Sequence, residues 1–144
     1  MEVAMGLFAI NWWVVLICTV FAMVNGSLWY NPKTFFNTWW KVVGGGKEKP
    51  GMSNMGLVWS MTIVGAAVKA VFVGVSVNAF SSILGGISVG SGLLTGLILA
   101  VGVVAPTSLV NKMFAGHGLK IWAIEVGNHL IDFLVFGALF GLWH

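Results

Sequence analysis

Four polar side chains lie close together in an apolar stretch near the end of the chain. Glu125, Asn128, His129 and Asp132 interrupt the segment IWAIEVGNHLIDFLVF, residues 121–136. At about 100° per residue on an α-helix, all four fall within an arc of roughly 100°. Carboxylates and an imidazole are groups that exchange protons and bind ions. The spacing therefore predicts one polar face on an otherwise apolar helix.

A charged group on a lipid-facing surface costs about 2.5 to 3.5 kcal/mol even on the most lenient insertion scale. We therefore expect this face to point into a helix bundle, a cavity or a subunit interface. Lys69 is a second charge within a long apolar stretch, and its distance from the start of that stretch places it level with His129 and Asp132. The sequence predicts an intramembrane polar network of these side chains in which Lys69 pairs with Asp132.

Three interpretations of the network remain open at this level. Glu125 and His129, one helical turn apart, could share a proton and form part of a relay. The same side chains could instead form a static network that fixes the packing of the helices. A zinc or iron site is a weaker alternative, with Glu125, His129 and Asp132 as candidate ligands. Three ligands along one helix rise too far to close around one ion alone, so no metal and no cofactor are assigned.

The composition places these residues in a membrane. Of 144 residues, 58% are hydrophobic and 8% are charged, whereas about 25% are charged in a typical soluble domain. The net charge of +3 is too small and too scattered to suggest nucleic acid as a partner, which leaves the lipid bilayer. The letters GISVG at residues 86–90 match GxSxG, but these glycines belong to a turn between two spans and not to a strand-to-helix elbow; the GxxxxGK[ST] and dinucleotide-binding motifs are absent, so no catalytic residue is assigned.

The hydrophobic pattern predicts an all-α fold, an integral membrane four-helix bundle in which residues 1–144 form a single transmembrane domain. The lysines concentrate in the first and third connections between spans, whereas the second carries no charge. Because cytoplasmic loops are enriched in Lys and Arg, both termini are expected outside the cytoplasm. The predicted spans are residues 5–30, 56–80, 92–112 and 119–143.

A short amphipathic helix is predicted between the first and second spans, in NPKTFFNTWWKVVGGG, residues 31–46. Asn31 can cap it and Pro32 suits its first turn. The aromatic residues fall on one face and the polar residues on the other, which is typical of a helix lying on a membrane surface. An irregular loop with membrane-bound rings is the alternative. The rings expected to contact lipid are Phe35, Phe36, Trp39 and Trp40.

Small residues recur every four positions in several of these helices, a pattern that allows two helix backbones to approach closely. Packing within one bundle explains the pattern, and so does a homo-oligomer, because four helices leave little room for a solute path inside one copy. Both explanations stay open. The small residues concerned are Ala66, Ala70, Gly74, Gly86, Gly90, Gly92, Gly96, Ala100, Gly137 and Gly141.

Several motifs resemble a known family. Asn11 and Trp12 are followed by GSLWYNP at residues 26–32, and the last span adds KIWAIEVGNHL and a terminal GALFGLW. Together these are similar to a family of small, mostly bacterial membrane proteins catalogued as domain of unknown function 1761. The resemblance covers nearly the whole chain and implies four membrane helices in the bacterial inner membrane, but it implies no activity.

Two functions follow from the residues themselves. Titratable groups facing the inside of a bundle favour the passage of protons, ions or a small polar solute. A network that only holds the helices together favours a non-catalytic scaffold or accessory subunit. A cavity that reaches the polar residues would support the first, and a fully packed network would support the second.

Overall fold

The computed structural model describes residues 1–51 and 53–144, and every regular element within these ranges is a helix. Four helical segments are long and apolar enough to cross a membrane, which confirms the predicted all-α membrane bundle. In chain order the elements are α1 (Glu2–Leu7), α2 (Trp12–Trp29), α3 (Phe36–Val43), α4 (Met55–Phe80), α5 (Val89–Leu99), a π-helical turn (Ala100–Val104), α6 (Ala105–Phe114) and α7 (Gly118–Leu142).

The first predicted span is divided into two helices. The Asn11 side chain accepts a hydrogen bond from the Trp13 amide at 3.1 Å and so caps the start of α2. The Asn78 amide, near the end of α4, donates to the carbonyls of Gly6, Leu7 and Ala9 at 3.1 to 3.4 Å. These bonds satisfy carbonyls around the end of α1. The membrane-spanning part therefore begins at Trp12 and not at residue 5.

The third span is continuous from Val89 to Phe114 but contains a widened turn. The Ala105 amide bonds to the carbonyl of Ala100, five residues back, which is the spacing of a π-helix. Pro106 follows immediately. Proline lacks an amide hydrogen and its ring collides with the carbonyl four residues earlier, so the extra residue in the turn relieves that collision.

The helices α5 and α7 pack backbone against backbone. A Cβ atom added at Gly92 would lie 1.9 Å from the carbonyl oxygen of Gly137, and one added at Gly96 would lie 2.1 Å from that of Phe133. Only glycine lets the two backbones come this close. This part of the small-residue pattern is used for packing inside one chain, and the contact fixes which face of α7 turns towards α2 and α4.

The short helix between the first two spans is present but shorter than predicted. It begins at Phe36, and Asn31 accepts from the Lys33 amide in the turns that precede it. The ring of Trp39 turns towards the bundle, whereas Trp40 donates to the carbonyl of Lys47 and ties the helix to the following loop.

The connections bring six of the seven lysines to one end of the bundle. This end, called here the lysine-rich end, contains the end of α2, all of α3, the start of α4, the end of α6 and the start of α7. Its lysines are Lys33, Lys41, Lys47, Lys49, Lys112 and Lys120.

Candidate functional site

Lys69 and Asp132 form an ion pair in the middle of the bundle. Lys69 comes 14 residues after Met55 on α4, and Asp132 comes 14 residues after Gly118 on α7. At about 1.5 Å per residue, both lie about 21 Å from the lysine-rich ends of their helices. The Lys69 ammonium donates to Asp132 Oδ2, and the Asp132 side chain is almost completely buried. The pairing that their shared depth predicted is present in the structure.

Two asparagines complete the surroundings of Asp132. The Asn25 amide on α2 donates to Asp132 Oδ1 at 2.9 Å and to the backbone carbonyl of Asn128 at 3.3 Å. The side chain of Asn25 therefore lies level with Asp132. Asn128 is 7% exposed, and within the described ranges its Nδ2 has no hydrogen-bond partner.

Glu125 belongs to a second ion pair, nearer to the lysine-rich end. Its Oε1 lies 2.8 Å from the ammonium of Lys112 on α6 and accepts a hydrogen bond of 2.9 Å from Trp39 Nε1 on α3. Besides His129 one turn away, Glu125 thus has a charged partner on α6 and a hydrogen-bond donor on α3. The Glu125 carboxylate holds two elements of the lysine-rich end against α7.

His129 lies between the two pairs. Its side chain borders a cavity of about 810 Å³ on the side of Lys69 and Asp132. It also borders a cavity of about 410 Å³ on the side of Lys112 and Glu125. The polar face of α7 is thus divided into two ion pairs, with one imidazole in contact with the space beside each.

The larger cavity lies between α2, α4 and α7. Its inner end is bordered by Lys69, Asn128, His129 and Asp132. Its walls are small or apolar residues of α2 and α4, and α3 borders it near the lysine-rich end through Phe36 and Trp39, next to Tyr30. Burial, with a further contribution from the Glu125 and Asp132 carboxylates, raises the pKa of Tyr30, so this phenol stays protonated. The wall residues are Ala22, Met23, Gly26, Val58, Trp59, Thr62, Gly65 and Ala66.

The opposite half of the bundle is packed. Phe136 is fully buried, and its ring centroid lies 5.5 Å from the Lys69 ammonium. Val14 and Val73 are buried beside it in one apolar cluster with Phe140. The cavity therefore reaches the ion pair from one side of the bundle and ends there.

The polar residues do not converge as a metal site. Among the described residues, no group of three or more His, Cys, Asp or Glu side chains is arranged to hold a metal ion. Lysines occupy one side of both Asp132 and Glu125. The zinc or iron alternative through Glu125, His129 and Asp132 thus has no support from the geometry.

The family resemblance was tested by comparison with known proteins. Residues 13–141 match a family described as a protein of unknown function, DUF1761. The chain belongs to this family. Neither the curated proteins nor the solved structures that were compared gave a match. The description of DUF1761 states no activity, so any role of the site has to be argued from its geometry.

Three contacts of this DUF1761 member were missed by sequence reasoning. From the sequence, Lys112 has no assigned partner, Trp39 is expected to contact lipid and Asn25 has no predicted role. A signal existed for Lys112, because only residues 115–117 separate α6 from α7. So short a connection makes the two helices antiparallel neighbours and brings Lys112 near the first turns of α7. No sequence signal pointed to the position of Trp39.

Proposed function

We propose that this protein passes protons, ions or a small polar solute through the membrane by way of the cavity between α2, α4 and α7. The observation that carries the proposal is the position of that cavity, which extends from the lysine-rich end to an ion pair halfway along α4 and α7. Buried charges within a membrane are costly, and they are typically found where they line a solute or proton path.

The arrangement of titratable groups supports a role for protons. His129 borders both cavities, with Glu125 on one side and Asp132 on the other. An imidazole can accept a proton at one ring nitrogen and release one from the other, so it is suited to pass protons between two carboxylates. A proton path would run from the smaller cavity past His129 to Asp132.

Passage to the other face of the membrane requires a second conformation. Phe136, Val14 and Val73 fill the bundle beyond the ion pair and do not border the cavity, so the cavity does not continue towards the opposite end. Transporters with a central site expose it to one side at a time. We propose that the described conformation is the one open to the lysine-rich end, with the apolar cluster as the closed gate.

The direction of the protein follows from its lysines. Six of seven lie at one end, and by the positive-inside rule this supports a cytoplasmic position for that end, with both termini outside. We propose that residues 1–144 act as a single transmembrane domain in the bacterial inner membrane.

A homo-oligomer is a further proposal. The glycines of α5 and α7 are used within one chain, so the support comes from the size of the bundle. Four helices enclose a cavity at one end only, and a second copy could complete a path across the other half. Light scattering of the purified protein in detergent would measure the number of copies.

Flux measurements in proteoliposomes test the main proposal. We expect a pH gradient to dissipate faster with the protein than in empty vesicles, and Glu125→Gln to reduce this flux strongly while the protein remains folded. Ser76→Ala is the matched control, since within the described part of the chain its hydroxyl bonds only to the Phe72 carbonyl of its own helix and does not border the cavity. Wild-type vesicles no more permeable than empty ones, with protons and with a panel of ions, would refute the proposal.

A non-catalytic scaffold or accessory subunit is the second candidate. The packed outer half of the bundle favours it, because a protein that only anchors a partner needs no path. Under this alternative the ion pairs fix helix packing, and substitutions at Glu125 change thermal stability while no flux is present to lose.

A further inference from the structure

The larger cavity combines an apolar wall with a polar inner end. Residues such as Met23, Val58 and Trp59 form its sides, and Lys69 and Asn128 lie at its inner end. Its volume of about 810 Å³ is within the range of about 300 to 1,000 Å³ typical of small-molecule sites. A molecule that fits it has an apolar body and one polar head group.

The groups left without partners at the inner end are hydrogen-bond donors. An ammonium carries three N–H groups, and in the described part of the chain the only acceptor bound to Lys69 is Asp132. The Lys69 side chain is 19% exposed. Asn128 is more than nine-tenths buried, and its Nδ2 also lacks a partner there. Both oxygens of Asp132, by contrast, already accept hydrogen bonds. The site is therefore short of acceptors, and an oxygen-bearing head group would supply them.

We propose that the cavity binds an organic monoanion with an apolar body, its head group facing Lys69 and Asn128, and that Asp132 takes up one proton when the anion binds. The inference rests on the proposed function, because it treats the cavity as a solute site and names the class of solute. The proton comes from water at the lysine-rich end.

Charge balance is the reason for the proton. One ammonium balances one carboxylate, and a second anion beside Lys69 would leave a net negative charge inside the bundle. Protonation of Asp132 removes that excess and frees Lys69 for the incoming head group. Other titratable or charged groups face this region from three helices. They are Cys18 on α2, Tyr30 just after α2, His129 and Glu125 on α7, and Lys112 on α6. Glu125 is already paired with Lys112, and among the charged groups of the described residues Asp132 alone pairs with Lys69.

Octane-1-sulfonate is the probe that separates protonation of the protein from protonation of the ligand, because it stays anionic at every pH used. Radiolabelled probe is dialysed to equilibrium against wild-type protein in lipid nanodiscs and against empty nanodiscs, which corrects for partition into lipid. Uptake of one proton predicts that affinity rises about tenfold for each pH unit as the pH falls from about 8 to about 6. Octyltrimethylammonium, with a similar body and the opposite charge, should bind at least tenfold more weakly.

Two substitutions locate the proton and the cation. Asp132→Asn imitates the protonated aspartate, so it should bind octane-1-sulfonate tightly and without the pH dependence. Lys69→Met should lose at least tenfold in affinity, and Lys69→Arg should retain most of it. The double variant Lys69→Met with Asp132→Asn leaves no unpaired charge and is the folded control that should not bind.

A measurement of thermal stability tests the proposal even if Asp132→Asn folds poorly. In this variant Lys69 has no partner, whereas in the wild type it is paired with the Asp132 carboxylate. At about pH 8, bound octane-1-sulfonate should therefore raise the unfolding temperature of the variant more than that of the wild type. An equal or smaller rise would contradict the proposal.

Other results would overturn the proposal in defined ways. An unchanged pH dependence in Asp132→Asn would place the proton elsewhere, and undiminished binding by Lys69→Met would remove the anion site. Failure of the probe to bind while proton flux persists would refute the solute class and leave the proposed function intact. Binding without any flux would refute passage and leave the binding site.

Discussion

Gly92→Ala tests the contact that orients the polar face of α7. The added Cβ would lie 1.9 Å from the Gly137 carbonyl oxygen and 2.7 Å from the Gly137 carbonyl carbon, whereas ordinary contacts begin at 3.4 Å. The helices would have to separate by about 1.5 Å, since both colliding groups are backbone and neither can rotate away in a packed interior. Overpacking typically lowers the free energy of unfolding by about 1 to 3 kcal/mol. Because the collision affects a whole pair of helices, we expect a loss near the upper end of this range. The better helix propensity of alanine offsets about 1 kcal/mol.

Gly90→Ala is the matched control on the same helix. Its nearest neighbour would be Ser88 Oγ at 3.8 Å, so it gains the propensity without the collision. Thermal unfolding in detergent, followed by tryptophan fluorescence, should show Gly92→Ala clearly less stable than wild type and Gly90→Ala equal to it or more stable. Equal stability of the two variants would show that α5 and α7 do not meet backbone to backbone, and the orientation of α7 would have to be explained otherwise.

Three further predictions concern the ion pairs and the direction of the chain. Lys69→Met and Asp132→Asn should each lower the free energy of unfolding by about 3 to 5 kcal/mol. The double variant should lose less than the sum of the two single losses, because it leaves no charge unpaired. Strictly additive losses in thermal unfolding would rule out the pairing. Trp39→Phe should destabilise the protein by about 1 kcal/mol more than Trp40→Phe, since only Trp39 bonds to a carboxylate, and equal unfolding temperatures would count against docking of α3. A cysteine replacing Lys47 should react with a membrane-impermeant thiol reagent only after the cells are opened, and labelling in intact cells would reverse the orientation.

The number of membrane helices could be predicted from the sequence because a hydrocarbon layer imposes a simple rule. Each crossing needs about 20 apolar residues and must satisfy its backbone hydrogen bonds internally. Composition alone reveals such segments. The starts and ends were less accurate, because single side chains such as Asn11 decide them locally. The π-helical turn at Ala100–Val104 is indicated in the sequence by Pro106 and not by the hydrophobic pattern, which is the same for a regular helix.

The partners of the polar residues were only partly determined by the sequence. Burial cost required that Lys69 and Asp132 find opposite charges, and their equal depth made the pair the simplest solution. The hydropathy of a sequence indicates how deep each residue lies in the membrane, but it says little about the position of the residue within the membrane plane. Which way each helix is rotated, and which helices are neighbours, depends on side chains meeting across the bundle. Asn25 and Lys112 became partners of α7 through such contacts.

The division of the polar face into two ion pairs was decided by tertiary structure alone. On a helical wheel, Glu125 and Asp132 lie about 20° apart and look equivalent. They lie seven residues apart along α7, and over that rise the surrounding helices change, so one carboxylate meets α6 and α3 and the other meets α4 and α2. The cavity between α2, α4 and α7 exists for the same reason. Residue types along one chain fix which groups must be shielded from lipid, but the space between helices belongs to no single helix and appears only when all of them are packed.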